Sequence, residues 1–378
     1  VLLPDDLETF RTTVSQRARD RLEPYASQLD RDQRFSPAVW AELRDLELFG
    51  LPFPESVGGA GGSFLAFAVA TEEVAIVSAS AALYPGTTVQ VATTLLEHGT
   101  SEQIAGWIPP LVRGDAPAAW AFTEPGTGSD PKQLETTARP DGDDWILSGQ
   151  KLFISFARAA KLALVFARTP GDGVGAFLVE TNQPGWSVGE PFELMAFGGG
   201  EPAPVFLDDV RVSSSQVVGD PERGFGVMLA GEAQGKIRAS AICVGIAQRA
   251  VDEAARYALT RVHRQQPIGD KFASIQGLLG QMEASVIGAR ALVHHAAELV
   301  DAGRPVARAA AAARIVAGRA AREVTSDAMQ ICGAYGLTRE LPVERLYREG
   351  KFFEVAQGVV EIQKTIVAKQ VLADHRNR

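Results

Sequence analysis

Trp120-Ala121-Phe122-Thr123-Glu124-Pro125-Gly126-Thr127-Gly128-Ser129-Asp130 is the stretch on which the reading of this chain turns. An apolar β-type run ends at Pro125, whose ring removes a backbone donor. Two glycines and two hydroxyl residues follow. They leave backbone N–H groups exposed, a turn able to surround a polar ring or a pyrophosphate with donors. The same residues would also make an ordinary turn, so the flanking sequence has to decide.

On either side the texture changes. Upstream, residues 1–115 read as an all-helical domain. Leu7, Phe10, Val14, Ala18 and Leu22 recur at helical spacing. Ser36-Pro37 supplies an N-cap and a first-turn proline for a second helix through Phe49. Gly58–Gly62 reads as a flexible turn, a long helix follows through Ser80, and another spans Thr87–Glu97 before Gly99. Around the stretch itself, residues 116–217 hold short β-type runs at Thr136–Ala138, Trp145–Leu147, Lys151–Ser155, Leu162–Arg168, Gly175–Glu180 and Pro204–Leu207. With no helical pattern between them, they imply a small antiparallel barrel or sandwich. Gly171-Asp172-Gly173-Val174-Gly175 precedes a β-type run, not a helix, and so reads as a hairpin turn and not a phosphate loop. Downstream, residues 218–378 return to long Ala- and Val-rich helices, a bundle in which Arg308, Arg314, Arg319 and Arg322 mark a polar face. The fold class is α+β: a helical domain, a β domain, then a helix bundle.

Composition narrows the function. Of 378 residues, 46% are hydrophobic and 22% charged, as in a soluble globular protein. A net charge of −9 argues against a general nucleic-acid or membrane-surface binder. No run is apolar and long enough for a membrane span, and the start shows no secretory leader pattern. Cys243 and Cys332 form no CxxC and suggest a reducing, cytoplasmic setting. The adjacent His294 and His295 point to different helix faces, a poor metal clamp, so no metal is expected. No G-x-S-x-G, P-loop or H-E-x-x-H occurs, leaving the common hydrolases and NTPases without support.

The Thr-Glu-Pro stretch resembles the acyl-CoA dehydrogenase family signature T-E-P-x-x-G-S-D. The likeness runs along nearly the whole chain. Leu147–Ser155 is similar to the family's NG-x-K-x-W-I-T/S strand, and Val244–Ala250 with Tyr257–Arg261 to its central helix. Gln330–Gly336 resembles Q-x-x-G-G-x-G, and Pro342–Lys351 resembles P-V-E-R-x-x-R-D-A-K. The resemblance implies a tetramer, homomeric or heteromeric, holding FAD. Its substrate would be an acyl-CoA or acyl-carrier-protein thioester, and its partner an acceptor such as an electron-transfer flavoprotein. By position, Trp120, Phe122, Thr123, Gly128 and Ser129 would line the flavin. Phe153, Ile154 and Ser155 would cover its ring, with Val359 and Glu361 adding contacts. Arg261, Gln330, Gly333 and Ala334 would hold a neighbouring subunit's FAD. Ser129, Lys236 and Gly358 would contact substrate.

The base departs from the pattern. Where the family carries Glu in Y-E-G-T-x-x-I-Q, this chain has Gln357 within Val355–Gln363, and the family's alternative position falls on Gly235. Neither is a carboxylate, and a neutral amide takes no proton at neutral pH. Glu232, three residues before Gly235, is the candidate replacement base, with Glu354 behind it. Three readings follow: α,β-dehydrogenation with a displaced base, altered flavin chemistry that is decarboxylating or oxygen-using, or a catalytically silent subunit paired with an active homologue. The R-x-x-F-G motif reads Arg261-Val262-His263-Arg264-Gln265, which alters the contact expected with a neighbour's FAD. Ala356, where the family often has an aromatic, predicts a roomy acyl pocket between Tyr84–Leu96 and the segments near Glu232.

Overall fold

The computed structural model describes residues 3–128, 133–171 and 173–376. The opening helical spacing is realised in α1 (Asp5–Asp32), which buries Val14, Ala18 and Leu22 on one face. α2 (Pro37–Asp45) starts as Ser36-Pro37 dictates: the Ser36 hydroxyl accepts the Val39 N–H, one of the donors that a helix start leaves free. The helix expected to run to Ser80 is two, α3 (Phe64–Val77) and α4 (Ala79–Ala82). Ser78 divides them, because its extended backbone and its hydroxyl, which accepts the Ala81 N–H, start a new helix. α5 (Pro85–His98) and α6 (Ser101–Val112) complete this layer. Gly58–Gly62, expected to be a flexible turn, is pinned: the N–H groups of Ala60, Gly61 and Gly62 donate to the carbonyls of Gly50, Phe53 and Leu51. A Cβ on Gly59 would lie 2.2 Å from the Phe53 carbonyl oxygen, an approach only glycine permits.

One sheet of seven strands follows: β1 (Ala118–Ala121), β2 (Thr137–Asp141), β3 (Asp144–Ile154), β4 (Leu162–Arg168), β5 (Val174–Glu180), β6 (Trp186–Val188) and β7 (Ala203–Ser213). The order is β1-β4-β2-β3-β7-β6, with β5 also on β4. The hairpin neighbours pair antiparallel, as expected, but β1 runs parallel to β4, and β2 meets β4 in parallel at Thr137 and Arg168. β1 arrives from the helical layer and not through a hairpin, so nothing forces it to run antiparallel. The Gly171 turn does link β4 to β5 as a hairpin, the Thr169 N–H donating to the Gly173 carbonyl. Side chains alternate along the strands: Leu162, Leu164, Phe166 and Leu178 pack towards the helices, while Ala163, Val165, Phe177 and Val179 build a second core with Leu147, Val205 and Val210.

The remaining chain forms α7 (Gly224–Thr260), the hairpin β8 (Val262–His263) and β9 (Gln266–Pro267), α8 (Ile268–Lys271), α9 (Ala273–Asp301), α10 (Ala307–Cys332), α11 (Val343–Val355) and α12 (Val360–Arg376). α7 is the central helix, packed by α3, α5, α9, α10 and α11. Small residues set these approaches; a Cβ on Gly245 would fall 2.6 Å from the Glu72 carbonyl oxygen of α3. Arg314 corrects the polar-face reading of α10. It is 0% exposed, its Nη2 donates to the Ala356 carbonyl at 2.8 Å, and its guanidinium lies 5.6 Å from the centre of the Phe353 ring. Gly318, one turn on, leaves the space it fills: a Cβ there would be 2.7 Å from Arg314 Nη1.

Candidate active site

The Thr-Glu-Pro turn is shaped by a buried ion pair. Lys151 Nζ donates to Glu124 Oε1 at 2.6 Å and to the Phe166 and Phe122 carbonyls at 2.5 and 3.2 Å. The Glu124 carboxylate also accepts the N–H groups of Glu135 and Thr136 at 2.5 and 3.1 Å. Both side chains are fully buried. Burial works to raise the Glu124 carboxyl, but the Lys151 ammonium and the donated hydrogen bonds outweigh it and hold it below the usual carboxylate range. Burial takes Lys151 down to about 8, with Glu124 opposing. Both residues lie in the quoted motifs, but the sequence alone gives neither a role, since their pairing joins segments 27 residues apart.

This clamp carries an edge of aromatic groups. The Leu152 N–H donates to the Thr123 carbonyl at 2.8 Å and ties β3 to the turn. A bulge in β3 between Lys151 and Ile154 follows, and Phe153 takes a left-handed φ of 56°. Its ring is 54% exposed and packs on Phe192 with centres 4.5 Å apart and the ring planes tilted by 33°. Ile154 points the other way, into the sheet core. Ser155 follows the strand end, beside Gly200. Phe122 and Trp120 both pack on Phe166, at 6.1 and 4.9 Å. Gly128 faces open space, and Ser129 lies outside the described residues.

From Trp120 the site continues along the seam of α5 and α7, whose rungs follow one another at turn-length intervals. A Cβ on Gly231 would meet the Trp120 ring at 2.6 Å and Thr94 Oγ1 at 2.9 Å. A Cβ on Gly235 would meet Gln357 Oε1 at 3.1 Å and Gln90 Oε1 at 3.2 Å. A Cβ on Gly86 would meet the Arg238 guanidinium carbon at 2.2 Å. The two positions where a base was sought, Gly235 and Gln357, therefore face each other. Gln357 has a left-handed φ of 57° and Gly358 one of 80°. Arg314 on the Ala356 carbonyl and Gln363 Nε2, which donates to the Gly358 carbonyl at 3.3 Å, fix this loop. Lys236 reaches within 3.9 Å of a Cβ built on Gly358.

Buried polar atoms without partners concentrate here: Trp120 Nε1, Gln90 Nε2, Gln357 Oε1, Thr87 Oγ1 and all three guanidinium nitrogens of Arg238. Buried polar groups are nearly always paired in a folded protein, so such a concentration marks a place shaped for something polar to enter. Gln90 and Arg238 lie in no recognisable motif, so sequence alone does not single them out.

Glu232 stands on α7 one turn before Lys236. Burial pushes its carboxyl above the usual range, countered first by Lys236, then by the Gln90 amide, Arg238 and the Trp120 indole. The amide and the indole approach without hydrogen-bond geometry, which is why Nε2 and Nε1 remain unpartnered. Burial likewise pulls the Lys236 ammonium down, with Glu232 working against it. A carboxyl poised this way is what proton abstraction at neutral pH requires. Glu354 is placed otherwise: Arg322 and Lys351 pair with it at 2.7 and 2.5 Å, and it is held below the usual range.

The other expected residues lie far off. Arg261 caps the C-terminal end of α7, twenty-six residues and roughly 39 Å along the helix axis from Gly235. Gln330, Gly333 and Ala334 are exposed at the end of α10, which Tyr335 brings against Tyr257 of α7 with rings 6.5 Å apart. Val359 and Glu361 lie beside the Gln357 loop, with Glu361 exposed. The expected site residues thus form two groups, one at each end of α7.

Three family models match the chain: acyl-CoA dehydrogenase, N-terminal domain, over residues 4–115; middle domain over 119–210; and C-terminal domain over 222–372. The mitochondrial short-chain specific acyl-CoA dehydrogenase of Bos taurus is 35% identical over 389 residues, covering 100% of this chain and 92% of the relative. Butyryl-CoA dehydrogenase from Megasphaera elsdenii superposes with a TM-score of 0.95 at 31% identity, over 98% of this chain and 99% of that one. The FAD complex of PigA superposes with a TM-score of 0.93 at 25% identity, over 98% of each chain.

Proposed function

Because the chain belongs to the acyl-CoA dehydrogenase family, we propose that it performs α,β-dehydrogenation of an acyl-CoA or acyl-carrier-protein thioester with Glu232 as the base in place of the family's Glu. FAD is the family's cofactor. The chain's own residues suit it: an exposed Phe153 ring, an open Gly128 and an unpartnered Trp120 indole N–H lie along one edge. When bound, FAD supplies the two-electron acceptor for the hydride that leaves the substrate's Cβ.

The observation that carries this reading is the convergence of Glu232, Gly235 and Gln357 on one seam, with a raised carboxyl among unpartnered polar atoms. Gln357 fills the base's position with a group that keeps its shape and lacks its basicity. Its backbone N–H donates to the thioester carbonyl, and Glu232 takes the α-proton. Lys236, beside Gly358, stabilises the negative charge that builds on the carbonyl oxygen. Gly358 contacts the thioester, and Ala356 leaves the pocket wide.

Arg261, Gln330, Gly333 and Ala334 serve the FAD of a second subunit, since roughly 39 Å of helix separates Arg261 from the seam. A tetramer accounts for the apolar groups left exposed on α9, α12 and the turn after α10, including Ile287, Leu337 and Leu372. Electrons pass on to an electron-transfer flavoprotein. The free, buried Cys243 and Cys332 suit a cytoplasmic setting. Among the described residues, no helix is long and apolar enough to cross a membrane.

The test is anaerobic bleaching of the FAD-loaded protein by acyl-CoA. Glu232→Gln slows bleaching by roughly 10²–10⁴-fold, the usual contribution of a general base. Gln357→Glu in that background restores it. An unchanged rate in Glu232→Gln overturns the assignment.

A further inference from the structure

We propose that Arg238 seats a carboxylate at the far end of the acyl chain, so that the substrate is a short ω-carboxyacyl thioester. This deepens the proposed function and rests on it.

Arg238 is 2% exposed, and none of its three guanidinium nitrogens has a hydrogen-bond partner among the described residues. Leaving a buried cation unpaired is among the costliest arrangements that a fold can keep. Burial pulls its pKa down to about 10, with Glu232 alone opposing. Glu232 is six residues away on the same helix, roughly 9 Å along its axis, too far for direct pairing of the backbone-anchored groups along that line.

The surroundings select an anion. The guanidinium lies against Gly86, in the first turn of α5, where the helix start carries partial positive charge. A cation placed at the positive end of a helix is repelled by it, whereas an anion between the two is attracted by both. Thr87, next in the chain, adds a buried hydroxyl with no partner. Gln90, one turn further along α5, faces the Gly235 and Gln357 rung.

Spacing selects the length. Arg238 is three residues beyond Gly235 on α7, roughly 4.5 Å along the axis from the rung where the thioester's α-carbon is proposed to sit. Two or three carbons beyond the α-carbon cover that distance, which describes four- and five-carbon dicarboxylic acyl groups. A planar, five-donor guanidinium also matches a carboxylate in two-pronged geometry.

Isothermal titration of the FAD-loaded protein tests this without relying on turnover. Succinyl-CoA and glutaryl-CoA are compared with butyryl-CoA and pentanoyl-CoA, their uncharged counterparts of equal carbon number. The wild type binds the charged pair about 10- to 100-fold more tightly. Arg238→Met removes that preference, while the affinity for butyryl-CoA stays within a few fold. Gly86→Ala, which leaves the arginine but occupies its seat, shrinks the preference. Equal affinity for both pairs in the wild type, or a preference that survives Arg238→Met, overturns the carboxylate seat while leaving the dehydrogenase reading intact. Failure of all four thioesters to bind overturns both.

Discussion

Two buried polar regions lie a few residues apart in this fold and are built on opposite plans. In the Glu124–Lys151 clamp, the lysine donates to a carboxylate and two carbonyls, and the carboxylate accepts two further backbone N–H groups. Along the α5–α7 seam, Trp120, Gln90, Gln357 and Arg238 are buried with atoms left over. Both regions bury polar atoms away from the surface. Only the first has matched every charge it hides. A saturated network spends its polar groups on holding one turn in one shape, whereas an unsaturated one keeps them in reserve for a molecule that arrives later. Burial alone therefore says little about purpose; what separates scaffold from site here is whether a buried charge has any partner, as Lys151 and Arg314 do and Arg238 does not among the described residues.

The comparison can be broken most forcefully at the clamp. Lys151→Met strands the Glu124 carboxylate, and urea denaturation should show a loss of about 3–5 kcal/mol. A loss below 1 kcal/mol would mean that the clamp is no more committed than the seam. A glycine exchange gives a smaller and signed contrast. Gly149, beside the clamp, has a φ of 151°, and a Cβ there would lie 2.7 Å from the Thr136 Cα. Gly149→Ala should cost about 1–3 kcal/mol. Gly235→Ala meets only the ends of two amide side chains and gains helix propensity, so it should stabilise by about 0.5–1 kcal/mol. Thermal or urea unfolding of both variants checks the opposite signs.

The least disruptive test is titration. Glu124 is held below the ordinary carboxylate pKa, so the stability it contributes is present above the unfolded value of about 4.3 and is lost as pH falls through its folded value. Glu232 is raised, so its contribution has the opposite sense, full below the unfolded value and lost as pH rises through its folded value. Infrared difference spectra should show a protonated-carboxyl band that persists above pH 4.5 and disappears in Glu232→Gln. A band that remains in that variant would remove Glu232 from the comparison.

Much of the architecture was legible from local pattern. Apolar spacing located α1, the Ser36-Pro37 pair located α2, and short apolar β-type runs located β4 and β5. Local pattern failed where a distant partner decided the outcome. Ser78 broke a run of good helix formers because its hydroxyl caps the next turn. β1 took a parallel neighbour that nothing in its four residues specifies. In the site, the family-like motifs led to Trp120, Phe153 and Gln357. They did not lead to Gln90, Arg238 or Arg314, because a lone long polar side chain on a helix reads as solvent-facing. Room for these groups comes from glycines: Gly318 clears the space for Arg314 from one turn on along the same helix, whereas Gly86 clears it for Arg238 from another helix, a pairing that exists in three dimensions alone.

The 37 residues of α7 make a rod of roughly 55 Å. In the arrangement proposed above, with Trp120 and Gln357 at one end and Arg261 at the other, a single polypeptide would carry two halves of different sockets and a complete version of neither. Retention of the dinucleotide then becomes a matter of mass action: dilution that parts the subunits would bleed yellow colour from the protein well before any helix melts.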